Sequence, residues 1–399
     1  MSGYTTALPR VFLQPGRDRR IEQGHPWAYS NEIRIDAETK ALPPGTLATL
    51  HRVDGKPLGV GSYNPHALIA FRMFSRDAHA RIDEEFLAGR IGRALALREH
   101  FFREPFYRLV HAEADGLPGL VCDRFEDVFV LQINTAGMQA LEPALLAAFD
   151  RRLAPRAIVL RNDSPARGLE GMPTAVGVAK GEIADVVEVR ENGLRFFADV
   201  LAGQKTGWFY DQRDSRAFVA PLAIEGAFLD VYCHTGGFAL AGAAGGARAV
   251  LGVESSSSAL ALAERAAAAN GFAPVCTFRR ADVFAELERL GHASERYRVV
   301  VADPPAFVKS RKDLSSGLRG YRKLARLTAP LVEPGGFLFI ASCSHNVAAE
   351  ALLAEVVRGM AAVGRTGRIV REAKAAADHP VHPHLPETAY LKSLLLQLD

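Results

Sequence analysis

The chain has 399 residues, of which 48% are hydrophobic and 23% charged, a balance that excludes disordered, collagen-like and membrane-embedded proteins. The formal net charge of +3 is compatible with an RNA partner and with many other enzymes. One hydrophobic core does not grow to this length, so we expect two or three domains. The N-terminus has no apolar signal segment and no later stretch is apolar enough to cross a bilayer, so we expect a cytoplasmic protein with no membrane partner.

The four cysteines are scattered along the chain without the CxxC spacing of metal sites. They are Cys122, Cys233, Cys276 and Cys343. This distribution argues against a zinc site or a disulfide framework and fits a reducing compartment. We therefore expect no metal, and any cysteine with a chemical role must act alone.

The first half of the chain predicts two different kinds of structure. Residues 1–75 contain short strand-like runs separated by Gly, Pro, Asp and Asn turns, which is typical of a small β domain. Residues 80–185 begin with a helical run of 3.6-residue periodicity and continue with strands, which predicts a central α+β domain.

Beyond residue 186 apolar strands alternate with helical stretches. The predicted strands are AFLDVY, AVLGV, VCTFR, YRVVVAD and GGFLFIAS. This alternation is typical of an α/β fold in which a mostly parallel sheet carries helices on both faces. Ligands of such sheets bind beyond the carboxyl ends of the strands.

The first of these strands ends in a glycine-rich turn, FLDVYCHTGGFAL. Asp230 closes the strand, and Thr235, Gly236 and Gly237 form the turn that lets backbone approach a ligand. The second strand ends in Glu254, where a carboxylate can accept hydrogen bonds from ribose hydroxyls. The pattern predicts a nucleoside-type site.

The third strand ends in Asp282 and Val283, which are placed to contact an adenine amino group and ring face. Neither GxGxxG nor a phosphate-binding GxxxxGK[ST] is present, which disfavours dinucleotides and ATP. The alternative for Glu254 and Asp282 is that each only caps the following helix.

The fourth strand ends in a stiff Asp-Pro-Pro loop that can present polar groups to a flat base. It contains Asp303, Pro304 and Pro305, and Phe307 can stack on a base that is swung out of its RNA. In amino-directed methyltransferases an aromatic residue directly follows the two prolines. Here that position is Ala306, which disfavours methylation of an exocyclic amine.

The fifth strand delivers Cys343 to the same edge of the sheet. A thiol can add to carbon 6 of a pyrimidine and make carbon 5 nucleophilic towards a sulfonium methyl donor. The alternative is a small buried residue at a strand end. The other three cysteines are interpreted as core residues, and His345 is left unassigned.

A basic run follows the Asp-Pro-Pro loop and would attract backbone phosphates. Its members are Arg311, Lys312, Arg319, Arg322, Lys323 and Arg326. The alternative is a solvated helix face with an ordinary excess of charge.

Several segments resemble the large-subunit ribosomal RNA cytosine carbon-5 methyltransferase family along nearly the whole chain. They are QGHPWAYSNEI (23–33), EADGLPGLVCDRF (113–125), NGLRFFADVLAGQKTGWFYDQRDSR (192–216), DVYCHTGGFAL, ADPPAFVKS, SCSHN and the C-terminal HPVHPHLPETAYLKSLLL. The GQKTGWFYDQRDSR and C-terminal blocks are specific to this family.

The resemblance implies a PUA-like RNA-binding domain over 1–75, the central domain over 80–185, and a Rossmann-like class I methyltransferase domain with a seven-stranded sheet over 186–399. It implies S-adenosylmethionine as cofactor and ribosomal RNA as partner. Cys343 would be the nucleophile, Asp303 would hold the cytosine and also contact the cofactor, and Gln212 and Arg213 would line the cofactor pocket. Ala306 replaces a second cysteine found in another group of cytosine methyltransferases, so another residue or water would remove the carbon-5 proton.

Three other functions compete with this one. A related enzyme could methylate guanine in the same RNA, although such relatives lack the SCS cysteine. A non-catalytic RNA-binding scaffold would need none of the predicted site residues, and small-molecule methylation is disfavoured by the PUA-like segment. Dimers are common among such enzymes, so we also expect a homodimer.

Overall fold

A computed structural model describes residues 8–399, so the first seven residues of the predicted 1–75 domain lie outside the described residues. The chain forms two compact units. The first contains the chain up to Asp185 together with Asp199–Trp208 and Ala377–Pro386. The second contains Val186–Ala198, Phe209–Ala376 and Glu387–Asp399. Each unit is thus assembled from segments that are discontinuous in sequence, and the predicted domain boundaries stay predictions.

The N-terminal part of the first unit is a six-stranded sheet. Its strands are β1 (Arg10–Leu13), β2 (Trp27–Tyr29), β3 (Ile33–Arg34), β4 (Thr46–His51), β5 (Pro57–Tyr63) and β6 (Ile69–Ser75), connected in part by the short helices α1 (Arg19–Glu22) and α2 (Ala37–Ala41). The strand order is β2-β6-β5-β4-β1-β3. Strands β1 and β4 are parallel, and the other neighbours are antiparallel.

The rest of the first unit contains a five-stranded sheet with helices. Its elements are α3 (Glu84–Phe101), β7 (Phe106–His111), β8 (Leu120–Phe125), β9 (Val128–Ile133), α4 (Ala136–Ala140), α5 (Glu142–Leu153), β10 (Ala157–Asn162), α6 (Ala166–Leu169) and β11 (Ala175–Lys180). The order is β11-β10-β9-β8-β7, and only β9 and β10 are parallel.

Helix α3 ties the two sheets of this unit together. Its N-terminus is capped by Asp83, whose carboxylate accepts a hydrogen bond from a backbone N–H of the first turn. The helix buries Leu87 and Ile91, one turn apart, in a core that also contains Val60 of β5 and Phe74 of β6. Because the two sheets share this core, they form one unit.

The second unit is built on a seven-stranded sheet preceded by a hairpin. The hairpin strands are β12 (Val187–Glu191) and β13 (Leu194–Ala198), and the sheet contains β14 (Ala227–Val231), β15 (Ala249–Glu254), β16 (Cys276–Arg280), β17 (Tyr297–Ala302), β18 (Val332–Ser342), β19 (Gly367–Ala373) and β20 (Lys392–Leu398). The order is β16-β15-β14-β17-β18-β20-β19. Strands β14 to β18 are parallel, whereas β20 is antiparallel to both neighbours. The predicted seven-stranded, mostly parallel sheet is confirmed.

Helices cover both faces of this sheet. They are α7 (Arg213–Val219), α8 (Gly237–Ala244), α9 (Ser257–Ala269), α10 (Val283–His292), α11 (Leu314–Thr328) and α12 (Ala349–Ala361). Alternate residues of β18 show the two faces: Leu338 and Ile340 belong to the core formed with α10, α11 and α12. Phe339 instead contacts Phe238 of α8, with ring centroids 5.0 Å apart. Within residues 8–399 no helix combines the length and the apolar character needed to cross a membrane.

Candidate functional site

The order of the parallel strands reverses between β14 and β17, which is where open α/β sheets bind ligands. The loops that follow β14, β15, β16, β17 and β18 all leave from the carboxyl edge of the sheet. These five loops carry most of the predicted site residues. The fold therefore brings residues more than 100 positions apart in sequence to one edge.

The loop after β14 has an unusual backbone. Tyr232, His234 and Gly236 all have left-handed conformations, with φ of 64°, 51° and 86°. A Cβ at Gly236 would lie 2.9 Å from Cδ1 of Leu240. Thr235 and Gly237 are buried in the same loop. Left-handed non-glycine residues store strain of about 1–3 kcal/mol each and are concentrated at ligand sites.

Asp230, the last but one residue of β14, is almost fully buried beneath this loop. Its Oδ2 accepts a hydrogen bond from the backbone N–H of Ala239 at 2.8 Å. Burial raises the pKa of the Asp230 carboxyl well above its usual range, and the negative charges of Asp303 and Glu254 add to the rise. The carboxyl groups of Asp230, Glu254 and Asp303, from the ends of three strands, are thus close enough to interact electrostatically.

Glu254 ends β15 and orders the loop around it. Its Oε2 accepts a hydrogen bond from the backbone N–H of His234 at 3.2 Å. Its Oε1 accepts from the N–H groups of Ser255 and Ser256 at 2.7 and 3.0 Å. The side chain is 7% exposed. Helix α9 is capped by Ser256, so Glu254 does not serve as the helix cap that the alternative interpretation required.

Asp282 does cap a helix, as that alternative proposed. It accepts a hydrogen bond from the N–H of Ala285 at the start of α10, at 2.9 Å. The capping bond uses Oδ1. Val283 beside it is buried. Burial and then the charges of Asp282 and Glu254 raise the pKa of the Tyr232 hydroxyl, so the ends of β14, β15 and β16 converge.

Gln212 and Arg213 lie where the 3₁₀ turn 210–212 leads into α7. Nε of Arg213 is 3.4 Å from Oε2 of Glu191, which also binds Arg216. Among residues 8–399, the amide of Gln212 finds no hydrogen-bond partner although the side chain is 2% exposed. A buried amide of this kind needs a polar partner.

The Asp-Pro-Pro loop follows β17. Pro304 is buried, Asp303 is half-buried and Pro305 is exposed. The ring of Phe307 packs against Tyr321, with centroids 4.8 Å apart. Its packing face is therefore occupied by α11, and stacking of Phe307 on a base stays a prediction.

Cys343 directly follows β18, next to the parallel strand β17. The Tyr321 hydroxyl is hydrogen-bonded to the hydroxyls of both flanking residues, Ser342 at 2.8 Å and Ser344 at 3.2 Å. Lys392 of β20 donates to the carbonyl oxygen of Ser344. Sequence reasoning missed Tyr321 and Lys392, and only the YLK letters of the C-terminal block pointed to the lysine.

The other three cysteines are held as neutral thiols. Burial raises the pKa of Cys122 and of Cys233 well above the usual range, and that of Cys276 to about 11. None of the four cysteines, all within the described residues, forms a disulfide. The thiolate is the nucleophilic form, so these three are poor nucleophiles.

Four of the six members of the predicted basic run fall into two groups. Arg322 forms an ion pair with Glu355, and Lys323 with Glu288, which supports the interpretation of these two as a solvated helix face. Arg311 and Lys312 are exposed at the turn that precedes α11 and have no carboxylate partner among residues 8–399.

The loops at this edge fit an adenosyl cofactor. Besides the Gln212 amide, Oδ1 of Asp230 is buried without a hydrogen-bond partner in the described part of the chain. A side chain at position 236 would collide with Leu240 and Ala263. The glycine there therefore leaves the backbone of the turn open to a ligand. In contrast, residues 8–399 contain no cluster of three or more His, Cys, Asp or Glu suited to a metal ion.

Comparison with known proteins agrees with this geometry. Residues 156–397 match the family described as S-adenosylmethionine-dependent methyltransferase, and residues 11–76 match the PUA-like domain family. A protein of Shewanella amazonensis named Ribosomal RNA large subunit methyltransferase I is 34% identical over 394 residues, which cover 98% of this chain and 99% of the relative. A protein of the same name from Cronobacter sakazakii is 34% identical over 388 residues, covering 96% and 98%.

Solved structures share the fold. One, described as a SAM-dependent methyltransferase from Streptococcus mutans, has a TM-score of 0.81 at 18% identity and covers 98% of this chain and 100% of its own. The second, a methyltransferase complexed with SAH, has a TM-score of 0.82 at 17% identity, with the same coverage of both chains. The chain belongs to the family of S-adenosylmethionine-dependent methyltransferases that includes the proteins named Ribosomal RNA large subunit methyltransferase I.

Proposed function

We propose that this protein methylates carbon 5 of a cytosine in large-subunit ribosomal RNA, with Cys343 as the nucleophile. The observation that carries the proposal is that Cys343 and Asp303 follow two neighbouring parallel strands, β18 and β17. The relatives named for the large ribosomal subunit support ribosomal RNA as the substrate.

In this proposal the protein activates the base covalently. Sγ of Cys343 bonds to carbon 6 of cytosine, which makes carbon 5 nucleophilic. S-adenosylmethionine, when bound, supplies the methyl group from its sulfonium. After carbon 5 has gained the methyl group, its proton passes to another residue or to water, and the electrons of that C–H bond re-form the double bond between carbons 5 and 6 as the bond between Sγ and carbon 6 breaks and the thiolate is released. Asp303 holds the polar edge of the cytosine during these steps and also contributes to the cofactor site.

The cofactor would be held by the loops at the carboxyl edge of the sheet. We assign the amino acid and sulfonium portion to Asp230 and to the turn formed by Thr235, Gly236 and Gly237. Glu254 would accept hydrogen bonds from the ribose hydroxyls, and Asp282 and Val283 would contact the adenine. Gln212 and Arg213 would complete the pocket, because the buried amide of Gln212 lacks a partner among residues 8–399.

The substrate would be held by the loop that follows β17. Pro304 and Pro305 keep that loop stiff, and Phe307 would support the base by stacking with a part of its ring that Tyr321 does not cover. Arg311 and Lys312, which are exposed and form no ion pair with a carboxylate within residues 8–399, would contact RNA phosphates.

The deciding experiment is methyl transfer from labelled S-adenosylmethionine to large-subunit ribosomal RNA transcribed without modifications, followed by nucleoside analysis. We expect 5-methylcytidine as the product. Methylguanosine would overturn the chemistry while leaving the family assignment intact, and methylation of free nucleosides would overturn the RNA substrate.

The covalent step has its own matched test. Cys343→Ala should lower transfer by at least about a thousandfold, since a covalent route no longer exists, whereas Cys276→Ala should retain activity. Calorimetry should show equal affinity for S-adenosylmethionine in both variants. Substantial activity in Cys343→Ala would exclude the covalent mechanism.

The ribose contact is tested at Glu254. Glu254→Gln replaces one accepting carboxylate oxygen by an NH2 group, which cannot accept a hydrogen bond from the backbone or from a ribose hydroxyl. We therefore expect the affinity for the cofactor to weaken by about tenfold or more. Glu264→Gln, on the exposed side of α9, is the control and should bind normally. Equal affinity of the two variants would refute the role of Glu254.

Three organisational predictions go with this function. We propose a PUA-like domain over 1–75, a central α+β domain over 80–185 and the methyltransferase domain over 186–399. We also propose a cytoplasmic location and a homodimer. Cell fractionation tests the location, and analytical ultracentrifugation of the purified chain tests the dimer.

A further inference from the structure

The first unit contains a cavity of about 470 Å³ that the methyl-transfer site does not use. Three segments that carry the family resemblance meet in its wall. Gly24 and His25 come from the 23–33 segment, Glu113 to Gly116 from the 113–125 segment, and His382 from the C-terminal block. The volume lies within the range of small-ligand sites, about 300–1,000 Å³.

The wall of this cavity carries three arginines, Arg76, Arg90 and Arg93. Two of them are oriented by backbone carbonyls: Arg90 donates to Phe74 at 3.0 Å, and Arg76 donates to Glu22 at 2.5 Å. None of the three pairs with a carboxylate in the part of the chain that the structure describes. In addition, Nε of Arg90 is buried and lacks a hydrogen-bond partner among those residues.

The two carboxylates in the wall are already neutralised. Oε1 of Glu113 accepts hydrogen bonds from the Trp27 indole at 2.9 Å and from Arg72 at 3.0 Å. Asp115 forms a bidentate pair with Arg98 at 2.6 and 2.9 Å. The charge that remains available to a ligand is therefore positive.

The backbone makes room for one of these guanidinium groups. Gly116 has a φ of +67°, and a Cβ there would lie 2.6 Å from Nη1 of Arg90. Any other residue would both strain the turn and displace the guanidinium. Arg90 is thus held against bare backbone, with one N–H still unsatisfied.

We propose that this cavity binds phosphodiester groups of the RNA substrate through Arg76, Arg90 and Arg93. The inference rests on the proposed function to the extent that the substrate is RNA. A guanidinium group matches a phosphate with two parallel hydrogen bonds, and three of them in one wall suit consecutive phosphates of a strand. A partly buried, unpaired cation gains most from an anion that supplies the missing acceptor.

The test measures affinity for unmodified large-subunit ribosomal RNA across a series of salt concentrations. We expect Arg90→Gln/Arg93→Gln to raise the Kd by about tenfold or more and to lower the slope of log K against log salt by about one to two. The KM for RNA should rise while kcat changes little, because these contacts are equal in the ground and transition states.

Matched variants separate this effect from misfolding and from general charge. Arg93 is exposed, so Arg93→Gln alone leaves the core intact and should still weaken RNA binding. Arg103→Gln removes another exposed arginine, just beyond the same helix, and should change the Kd by less than about twofold. Equal affinities for Arg93→Gln, Arg103→Gln and the unchanged protein would overturn the proposal.

Inorganic phosphate distinguishes the source of the phosphate group. If the double variant loses the ability to bind phosphate but keeps its affinity for RNA, the cavity is a site for a small phosphate compound. That result would overturn the RNA assignment. The outcome is independent of which base is methylated. If RNA binding depends on these arginines, the proposed role of the cavity is supported even when the product is methylguanosine. If the variants form 5-methylcytidine with an unaltered KM for RNA, the role of the cavity is refuted while the proposed chemistry stands.

Discussion

Nζ of Lys392 donates a hydrogen bond to the carbonyl oxygen of Ser344 at 2.7 Å. Lys392 is paired with Ser342 across β20 and β18, and its side chain reaches Ser344, so the ammonium group lies close enough to the intervening Cys343 to interact with it. Burial lowers the pKa of Lys392, and the negative charge of a Cys343 thiolate acts in the opposite direction. Since this attraction is mutual, the ammonium group stabilises the thiolate that the proposed chemistry requires.

Lys392→Met should therefore make Cys343 less reactive. We expect the rate of Cys343 alkylation by iodoacetamide at neutral pH to fall by about three- to tenfold and its pH profile to move to higher pH. Peptide mass spectrometry measures the rate at each pH. Lys374→Met, at an exposed lysine of the same unit, should leave the profile unchanged, and identical profiles for both variants would exclude the electrostatic role of Lys392.

Tyr321→Phe should disturb the segment that contains Cys343. The hydroxyl bonds to Ser342 and Ser344 within a fully buried setting, so its loss should cost about 1–3 kcal/mol of unfolding free energy. We also expect a lower kcat with little change in cofactor affinity. The control is Tyr297→Phe, a buried tyrosine at the opposite end of β17 with no hydroxyl hydrogen bond found among residues 8–399. If urea unfolding and kcat are the same in both variants, Tyr321 does not position the cysteine.

The periodicity of the sequence was sufficient to predict the five parallel strands of the sheet in the second unit. Buried parallel strands such as β14 and β17 are apolar runs with an aspartate at the carboxyl end. Asp230 is the last but one residue of β14, and Asp303 directly follows β17, so the sequence indicates both the type of these strands and where they end. Strand β19 was not predicted, because most of its residues are exposed and only pairing with β20 defines it. The strands β2 and β3 are too short to produce a pattern.

The sequence indicated candidate site residues only where a single residue stands at the end of a predicted strand. Glu254 and Cys343 have that property. In contrast, Lys392 lies 49 positions after Cys343 and reaches it through antiparallel pairing, which no local pattern records. The division into two units was also hidden, because Ala377–Pro386 joins the first unit from the far end of the chain.

Gly236→Ala should weaken cofactor binding more than it weakens the fold. A Cβ would be 2.9 Å from Leu240 at a φ of +86°, so both strain and crowding act in the cofactor loop. We expect a loss of about 1–3 kcal/mol in stability and at least about tenfold in affinity for S-adenosylmethionine. Gly271→Ala carries the left-handed strain alone, since no atom lies within 4 Å of its Cβ position. If calorimetry gives both variants the same affinity, the turn does not contact the cofactor.

Asp230→Asn should change how stability depends on pH. Burial raises the folded pKa of Asp230 above its unfolded value of 3.8, so the folded chain retains a proton that the unfolded chain releases. The stabilising contribution is complete below pH 3.8 and is lost as the pH rises through the folded pKa. Asparagine cannot titrate, but its oxygen can still accept the hydrogen bond from Ala239.

The unfolding free energy of Asp230→Asn relative to the unchanged protein should therefore increase as the pH is raised from the unfolded pKa of 3.8 towards neutral pH. Urea unfolding followed by circular dichroism, without added cofactor, measures this difference. Asp214→Asn, at an exposed position of α7, should show no such trend. A difference that is constant with pH would mean that Asp230 is ionised in the folded protein throughout this range. Asp230 would then add its own negative charge to the site before any cofactor binds, and the positively charged sulfonium would be attracted more strongly than a neutral Asp230 allows.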